Sequence, residues 1–431
     1  MMEYARFVNG DRMKDFFRLM SRTQFLELLE GFEPLDSEVV PLTQARGRGL
    51  AQDILSPEDL PPFSRSTMDG FAVRAKATFG ASESEPSLFK VVGEVPMGSS
   101  GQDIEVGPLE AAKIWTGGAL PRGADSVVMV EFTHPIDEET IEVFRPVAPG
   151  ENVIAKGEDY REGDVVLERG RVLGPGDLGA LAGLGIVEVP VVKRPKVAVL
   201  STGDELVPPD ATPRPGEIRD INSTTLHLLI EECGGIPVPM GIIPDDFDSL
   251  NRACEEALRE GADVVLLSGG SSVGRRDYTL DVFRGLKGSE VLAHGVSIRP
   301  GKPTILAKQG NRALFGLPGH VASAIVVFLL FVRPLVRYMS GRDLSTGLNE
   351  VRVRCGQEFP SVSGREDFVR VRLEDGPEGL SDMKWAYPVW GKSGLISPLV
   401  KAHGLLKIPR DSEGLERGEE ATCLLFSYTH Q

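Results

Sequence analysis

The amino-acid sequence predicts a multidomain protein in which a doubly wound α/β domain is combined with β-rich and helical segments. Three observations support this fold class. The chain has 431 residues, which is too long for one ordinary hydrophobic core, and about three domains are expected at this length. Strand-like and helix-like runs alternate with short loops from Arg194 onward, as in an open parallel sheet. Short β-type runs separated by Gly, Pro and Ser clusters occupy residues 71–144 and recur after Asn349.

The part of the chain before residue 193 divides into helical and β-rich segments. Apolar residues recur at helical spacing in residues 23–32, and a second helix is predicted in residues 38–54, before a Pro-Pro pair ends the pattern. Residues 71–144 contain four β-type runs and predict a small β module. The glycine-rich residues 151–192 contain the helix-like GDLGALAGLG, followed by the strand-like IVEVPVV.

From residue 194 the pattern becomes strand, helix, strand. Strands are predicted in KVAVLSTGDEL, IPVPMGII and DVVLLSGG, and helices in INSTTLHLLIEECGG and DDFDSLNRACEEALREG. A last helix is expected from His320 to Met339. Its apolar run VASAIVVFLLFV is too short to cross a membrane and predicts a buried helix. The tail from Asn349 is β-type again, which predicts a small barrel or sandwich.

Composition indicates an ordinary globular protein and excludes several function classes. Hydrophobic residues make up 41% of the chain and charged residues 26%. With 47 Lys+Arg against 63 Asp+Glu, the formal net charge is -16, and such a field disfavours nucleic acid as a partner. The four cysteines lie far apart, form no metal-binding motif and are expected to be reduced thiols. No secretory leader is visible, so we expect a cytoplasmic protein without a membrane segment.

Three loops of the α/β domain are predicted to meet where its strands end. They are STGDEL, SGGSSVGRRD and GLPGH, and open parallel sheets bind ligands at this edge. Their glycines let the backbone approach a ligand, and their N–H groups and hydroxyls suit an anion. Asp204, Glu205 and Asp277 would repel that anion unless Mg²⁺ joined them to its phosphate oxygens. The loops therefore predict a phosphate-bearing ligand with magnesium, although glycine–serine loops also occur as simple turns.

Two further segments carry polar residues that allow more than one interpretation. In SIRPGKPTIL, Arg299 and Lys302 stand on a loop stiffened by prolines, which suits either a compact oxyanion or a solvated basic turn. Asp69, in the tight turn MDG, is expected to cap backbone groups of its own turn, and Thr116 fits a plain hairpin loop. No Ser-His-Asp or Cys-His arrangement is recoverable, so the sequence does not support covalent catalysis.

Eight motifs, in their order along the chain, resemble the molybdopterin molybdenumtransferase family, which includes bacterial MoeA and the E domain of gephyrin. The motifs are PPFSRSTMDGFAVR, TGGALPRGADSVVMVE, KGEDYREGD, VAVLSTGDELV, GEIRDINS, LLSGGSSVGRRDYT, RPGKPT and GLPGHVASA. The resemblance covers about residues 21 to 430 and is specific as a set, because no one motif identifies the family alone.

The resemblance implies four domains. They are an elongated domain formed by residues 1–55 and 147–192, an inserted β-rich module at 56–146, a molybdopterin-binding α/β domain at 193–340 and a C-terminal β-barrel at 341–431. It also implies a homodimer with the active site between subunits. The implied enzyme inserts molybdate into adenylylated molybdopterin, releases AMP and requires Mg²⁺. Transient contacts with the adenylyltransferase and with molybdoenzymes belong to the same expectation.

The resemblance also assigns site residues by motif position. The catalytic positions are Asp69, Thr116, Glu205 and Asp277, and the metal positions are Asp277 and Asp204. The nucleotide and molybdopterin positions are Ser201, Thr202, Gly203, Asp204, Ser268, Gly269, Gly270, Ser271, Gly274, Pro318 and Gly319. The oxyanion positions for molybdate are Arg299, Lys302, Pro303, Ser323, Arg365 and Ser393.

Three motifs depart from the pattern of the family. Members commonly read LPGNPVS where this chain has LPGHVAS, so His320 and Val321 replace an Asn-Pro pair. The change removes a fixed φ at the start of the helix and alters the local hydrogen bonding. Arg299 replaces the Lys that often opens the KPGKP loop, and FDNSAMDG becomes FSRSTMDG. These differences indicate subfamily variation, chiefly at the oxyanion end of the site.

Other functions remain open from the sequence. A non-catalytic molybdopterin-binding carrier or scaffold would keep the fold without turnover, although the chain lacks the long disordered linker of a fused scaffold. An adenylyltransferase would use the same α/β domain but would not need the flanking domains. A tungstate-specific paralogue is equally compatible with the sequence, because tungstate and molybdate have nearly equal size and charge.

Overall fold

The chain folds into two compact units, each of which is described by itself. A computed structural model describes residues 19–269, 278–376 and 383–427. The larger unit is formed within residues 1–39, 47–51 and 190–431, and the smaller unit within residues 40–46 and 52–189. The four domain boundaries given above remain a prediction.

The described residues contain eight α-helices. They are α1 (Arg22–Leu29), α2 (Pro175–Gly183), α3 (Asn222–Glu232), α4 (Phe247–Arg259), α5 (Tyr278–Gly285), α6 (Val321–Val327), α7 (Arg333–Met339) and α8 (Ser397–Val400). A π-helical segment joins α6 to α7 at Phe328–Val332, and 3₁₀ turns lie at Leu42–Gln44, Ala75–Thr78 and Val130–Phe132.

The strands fall into three groups along the chain. The first group is β1 (Ser37–Pro41), β2 (Ile54–Leu55), β3 (Arg65–Ser66), β4 (Gly70–Val73), β5 (Ser87–Glu94), β6 (Glu110–Ile114), β7 (Ser126–Met129), β8 (Thr133–Pro135), β9 (Thr140–Val143), β10 (Val153–Ile154), β11 (Val165–Leu167) and β12 (Glu188–Val192). The second group is β13 (Lys196–Thr202), β14 (Leu206–Val207), β15 (Ile218–Arg219), β16 (Ile236–Ile243), β17 (Val264–Ser268), β18 (Ser289–His294), β19 (Ile298–Arg299), β20 (Ile305–Gln309) and β21 (Arg312–Leu317). The third group is β22 (Glu350–Cys355), β23 (Phe359–Pro360), β24 (Glu366–Glu374), β25 (Trp385–Pro388), β26 (Gly404–Ile408), β27 (Gly414–Leu415) and β28 (Glu420–Leu425).

The smaller unit contains the β module that the sequence predicts. Its six-stranded sheet has the order β7-β4-β6-β5-β9-β8, with β5 and β6 parallel and the other neighbours antiparallel. Gly70 begins β4 so close to β7 that a Cβ there would lie 2.0 Å from the carbonyl oxygen of Val128. A side chain cannot fit at that distance, which explains the glycine of the MDG turn and fixes Asp69 directly before the sheet.

The α/β sheet of the larger unit has the order β16-β13-β17-β21-β20-β18. The first four strands are parallel, which confirms the predicted doubly wound domain. The last two, β20 and β18, are antiparallel and were not predicted. The reason is local, since Gly310 and Asn311 form a two-residue turn between β20 and β21, and Gly310 has a φ of +60°.

The helix that closes the α/β domain is buried, as predicted. Val321–Met339 is long and apolar enough to cross a membrane, with a mean hydropathy of 1.9, but 89% of that window is buried inside the protein. Its Phe331 ring packs on that of Phe25 from α1, with ring centroids 4.3 Å apart. The apolar run therefore forms part of a hydrophobic core.

The C-terminal segment forms a closed five-stranded barrel. The strands β24, β25, β22, β28 and β26 follow one another, and β26 pairs with β24 to close the ring. Short β19, from the α/β side of the chain, adds to β24 in parallel and places Arg299 opposite Asp367. A loop that precedes the last strands of the α/β sheet is thereby attached to the barrel.

The helix predicted for residues 38–54 is wrong. The structure has strand β1 there, followed by a 3₁₀ turn. The β-branched Val39 and Val40 favour a strand, and Pro41 would break a helix. Gly47 has a φ of +73°, which ends any helical continuation.

Candidate functional site

A cavity of about 570 Å³ lies where the parallel strands β13, β17 and β21 end. The strands end at the same level, because Ser201 pairs with Ser268 and Ser268 pairs with Leu317. The points at which the chain leaves these strands are therefore brought together, as the sequence predicts. The predicted residues that line the cavity are Thr202, Gly203, Glu205, Ser268, Gly269, Pro303, Pro318, Gly319 and Ser323.

A close backbone approach determines the shape of the cavity floor. Gly269 follows β17 with a φ of +114°, and its N–H donates to the carbonyl oxygen of Leu317 at 3.2 Å. A Cβ at this position would lie 2.1 Å from the carbonyl oxygen of Thr202. Both the positive φ and the contact require glycine, so the loops after β13 and β17 meet closely only because residue 269 has no side chain.

The amide of Asn222 connects the loops after β17 and β21. Its Nδ2 donates to Oγ of Ser268 at 2.7 Å and to the carbonyl oxygen of Gly319 at 2.8 Å. Asn222 is buried and lines the cavity, and its Oδ1 has no partner among the described residues. With both N–H groups committed, the side chain cannot rotate without losing one of these bonds.

A second polar chain supports the same edge. Asp220 accepts hydrogen bonds from the backbone N–H and the hydroxyl of Ser223, and the Ser223 hydroxyl lies 2.8 Å from that of Ser201. The hydroxyl of Thr202 donates to Asp245 at 3.3 Å. Ser201 thus supports the cavity from behind, whereas Asp220 and Asp245 are among the residues that line it.

Glu205 is the carboxylate most available to a metal ion. Three carboxylates line the cavity, but Asp220 and Asp245 are already hydrogen-bonded, whereas the Glu205 carboxylate has no partner among the described residues. Asp204 is exposed in the same loop and is not among the lining residues. Within the described residues, no three His, Cys, Asp or Glu side chains are grouped to hold a metal. One or two carboxylates with phosphate oxygens and water are what Mg²⁺ requires, so the donors present fit a magnesium ion shared with a ligand.

Five of the six predicted oxyanion residues fall into two groups. Pro303 and Ser323 line the cavity, and Lys302 is exposed next to Pro303. Arg299 and Arg365, from distant parts of the chain, meet at Asp367. The nitrogen–oxygen distances are 3.6 Å for Arg299 and 3.0 Å for Arg365.

The remaining predicted oxyanion residue, Ser393, reaches the cavity through His320. The Ser393 hydroxyl lies 2.8 Å from Nδ1 of His320, and the backbone N–H of Ala322 donates to the carbonyl oxygen of Ser393 at 3.0 Å. His320 precedes α6 without capping it through its side chain. The departure from the family pattern therefore produces a hydrogen bond between the helix start and a loop of the barrel segment.

Asp69 and Thr116 form a pair on the surface of the smaller unit. The backbone N–H and the hydroxyl of Thr116 both donate to Oδ1 of Asp69, each at 2.7 Å. The expectation that Asp69 caps its own turn is wrong, since its partner lies beyond β6 in a neighbouring loop. The two hydrogen bonds hold the pKa of Asp69 below its ordinary value, and the bond from the backbone N–H makes the larger contribution. The carboxylate is exposed and remains ionised at neutral pH.

Some functional candidates lie outside the described residues, and others were missed. Gly270, Ser271, Gly274 and Asp277 fall in residues 270–277, which the structure does not describe. Asn222, Asp220 and Asp245 were not selected from the sequence, although the first two stand in the GEIRDINS motif. The GEIRDINS motif was the signal in the sequence that could have identified Asp220 and Asn222. These residues were missed because a polar segment before a helix is common, and only the fold shows that this one lies at the cavity.

The four cysteines supply no nucleophile. All are free and buried, and burial raises the pKa of Cys233 to about 11 and that of Cys254 to about 12. A thiol with such a pKa is protonated at neutral pH and is a poor nucleophile. The absence of covalent chemistry predicted from the sequence is consistent with this.

Family models match most of the chain. The "MoeA N-terminal region (domain I and II)" matches residues 20–185, the "Probable molybdopterin binding domain" residues 198–338 and the "MoeA C-terminal region (domain IV)" residues 352–426. The second match contains the strands and loops that form the cavity.

Relatives and solved structures match nearly the whole length of the chain. The molybdopterin molybdenumtransferase of Staphylococcus aureus is 34% identical over 389 residues, with 90% of each chain covered. That of Bacillus subtilis is 33% identical over 400 residues, again with 90% of each chain covered. The crystal structure of a molybdopterin biosynthesis MoeA protein from Pyrococcus horikoshii superimposes with a TM-score of 0.80 at 37% identity, covering 95% of this chain and 99% of that one.

Gly269→Ala should destabilise the fold more than Gly261→Ala does. Both glycines have positive φ, +114° and +85°, so alanine costs about 1–2 kcal/mol of backbone strain at either position. At Gly261 no atom lies within 4 Å of the added Cβ, whereas at Gly269 the Thr202 carbonyl oxygen does. Denaturant unfolding of the two variants measures the difference. Equal losses in the free energy of unfolding would contradict the close approach.

Thr116→Val should raise the pKa of Asp69 without returning it fully to the ordinary value of 3.8. The substitution removes the hydroxyl donor, while the stronger contribution, the backbone N–H, remains. Titration of ¹³C-carboxyl-labelled aspartates by NMR measures the shift. Asp137, whose pKa is lowered by Glu139 and Thr140 instead, is the internal control. An unchanged pKa of Asp69 would show that the hydroxyl does not bond to it in solution.

Proposed function

This chain belongs to the MoeA family, and on that premise we propose that it is a molybdopterin molybdenumtransferase that inserts molybdate into adenylylated molybdopterin and releases AMP. The observation that carries the proposal is the cavity at the ends of β13, β17 and β21. It combines close-packed glycine loops, an unengaged carboxylate and, on the loop that contains Pro303, cationic residues.

The loops at Ser268–Gly269 and Pro318–Gly319 are proposed to hold the phosphates of the substrate. Glycine at these positions permits the backbone to approach a phosphate oxygen closely. Asn222 fixes the spacing of the two loops, because its Nδ2 donates to Ser268 at 2.7 Å and to Gly319 at 2.8 Å. A cavity held in this way before the ligand arrives loses little entropy on binding.

Glu205 is the proposed magnesium ligand, together with Asp204 on the same loop. Asp277, which lies outside the described residues, is proposed as a further ligand. Magnesium, when bound, neutralises charge on the phosphate oxygens as the phosphoanhydride is cleaved. The chain itself has a formal charge of -16, so a polyanionic substrate depends on such local neutralisation. The role of this chain is to present a carboxylate at the cavity wall.

Molybdate is proposed to bind beside the phosphates. Lys302, Pro303 and Ser323 would contact it from the cavity side, with Ser393 held in place by His320. Arg299 and Arg365 supply further cationic donors. A planar guanidinium offers paired N–H donors to an oxyanion, and a lysine ammonium offers a compact charge.

The proposed reaction requires no protein nucleophile. A molybdate oxygen can attack the phosphorus itself, and the residues of this chain then bind, orient and neutralise charge. The buried cysteines and the lack of a recoverable triad are consistent with a reaction in which the protein supplies no nucleophile.

We further propose a cytoplasmic homodimer in which Asp69 and Thr116 of one copy serve the cavity of its partner. The pair is exposed, its carboxylate is ionised, and its donors are already aligned at 2.7 Å. Transient contacts with the adenylyltransferase and with recipient molybdoenzymes would complete the pathway. Neither nucleic acid nor a membrane is proposed as a partner.

AMP release from adenylylated molybdopterin in the presence of Mg²⁺ tests the function. We expect release that depends on molybdate, and Glu205→Gln should raise the magnesium concentration required. Glu260→Gln, which removes an exposed carboxylate at the end of α4, is the matched control and should leave the requirement unchanged. Release that depends on tungstate alone would indicate a tungstate-specific enzyme. Tight binding of the adenylylated pterin without anion-dependent release would contradict the transferase and indicate a carrier.

A further inference from the structure

One buried carboxylate organises the two arginines assigned to oxyanion binding. Asp367 is 2% exposed. Its Oδ1 accepts a hydrogen bond from Nε of Arg365 at 3.0 Å, and its Oδ2 lies 3.6 Å from Nη1 of Arg299. The side chain of Arg299 is 61% exposed and that of Arg365 is 34% exposed. The other N–H groups of both guanidiniums have no partner among the described residues.

The fold brings these three residues together from two distant segments. Strand β19 pairs in parallel with β24, so Arg299 lies opposite Asp367. The backbone N–H of Glu366 donates to the carbonyl oxygen of Ser297 at 3.0 Å and fixes the register at this junction. Arg365 stands two residues before Asp367, directly ahead of the strand. The junction between the barrel and the loop containing Lys302 is therefore also the place where the arginines meet.

The neighbouring carboxylate shows that this arrangement is specific to Asp367. Successive residues of a strand point to opposite faces. Glu366 accordingly binds a different pair of cations, Arg22 at 2.8 Å and Lys407 at 2.9 Å. Two adjacent carboxylates thus each hold two cations, but only those of Asp367 belong to the oxyanion residues.

We propose that Asp367 is a positioning residue that holds Arg299 and Arg365 ready for a tetrahedral dianion, an inference that rests on the proposed function. Two guanidiniums at one carboxylate repel each other, and each long side chain loses rotamer entropy when it is fixed. A shared carboxylate offsets the repulsion and fixes both side chains before the anion binds. Removing it frees the mostly exposed Arg299 to move into solvent.

The charges of the cluster suit the same ligand. Arg299 and Arg365 are two cations around the one carboxylate of Asp367, so these three side chains together keep a positive charge. Molybdate and tungstate are both anions. Asp367 therefore orients the arginines without cancelling their attraction for such an anion.

Asp367→Asn tests the proposal, with Glu366→Gln as the matched control on the same strand. We expect Asp367→Asn to raise the molybdate concentration for half-maximal AMP release by roughly tenfold, the loss of about one charged hydrogen bond. The rate at saturating molybdate and the affinity for adenylylated molybdopterin should change little. Glu366→Gln should change none of these. Thermal unfolding shifts produced by molybdate or tungstate alone give a second readout that does not depend on turnover.

A double-mutant cycle separates positioning from general structural support. If Asp367 acts through the arginines, Asp367→Asn should raise the molybdate requirement no further in an Arg299→Ala, Arg365→Ala background. An unchanged or lower molybdate requirement in Asp367→Asn, or full additivity in the cycle, would overturn the proposal. A wild-type protein without anion-dependent AMP release would instead contradict the proposed function, so the two failures are distinguishable.

Discussion

The site depends on one constraint: three parallel strands end at the same level, at a single edge of the α/β sheet. Pairing of Ser201 with Ser268, and of Ser268 with Leu317, aligns the points at which the chain leaves the sheet. Gly269 then permits a contact with the Thr202 carbonyl that any side chain would prevent. The cavity, its loops and the amide bridge from Asn222 all follow from this alignment. Apolar strands buried on both faces keep the edge rigid.

A second junction extends this edge toward the barrel. The two residues of β19 pair with β24, and the loop that follows them contains Lys302 and Pro303. The contact between His320 and Ser393 also connects the start of α6 to a loop of the barrel segment. Residues far apart in sequence thus approach one cavity from a sheet edge, a helix start and a barrel. Such positioning by rigid elements is what charge recognition without a protein nucleophile requires.

Much of the fold could be predicted from the sequence, because periodicity reports local structure directly. The alternating strands and helices after Arg194, the β module and the buried last helix all appeared in the pattern. The helix predicted for residues 38–54 failed because local β preference and Pro41 outweighed a loose apolar spacing. The loops at the cavity could be anticipated from parallel-sheet topology. The role of Asn222 could not, because its partners lie 46 and 97 residues away in sequence.

The most direct test of this account is the position of the anion in crystals grown with adenylylated molybdopterin and tungstate, without magnesium so that turnover is prevented. Tungsten is located unambiguously by its anomalous scattering. We expect nucleotide density against the loops at Ser268–Gly269 and Pro318–Gly319, with the tungsten peak within hydrogen-bonding reach of Arg299 and Arg365. A tungsten peak remote from both arginines, or nucleotide density outside the cavity, would contradict it.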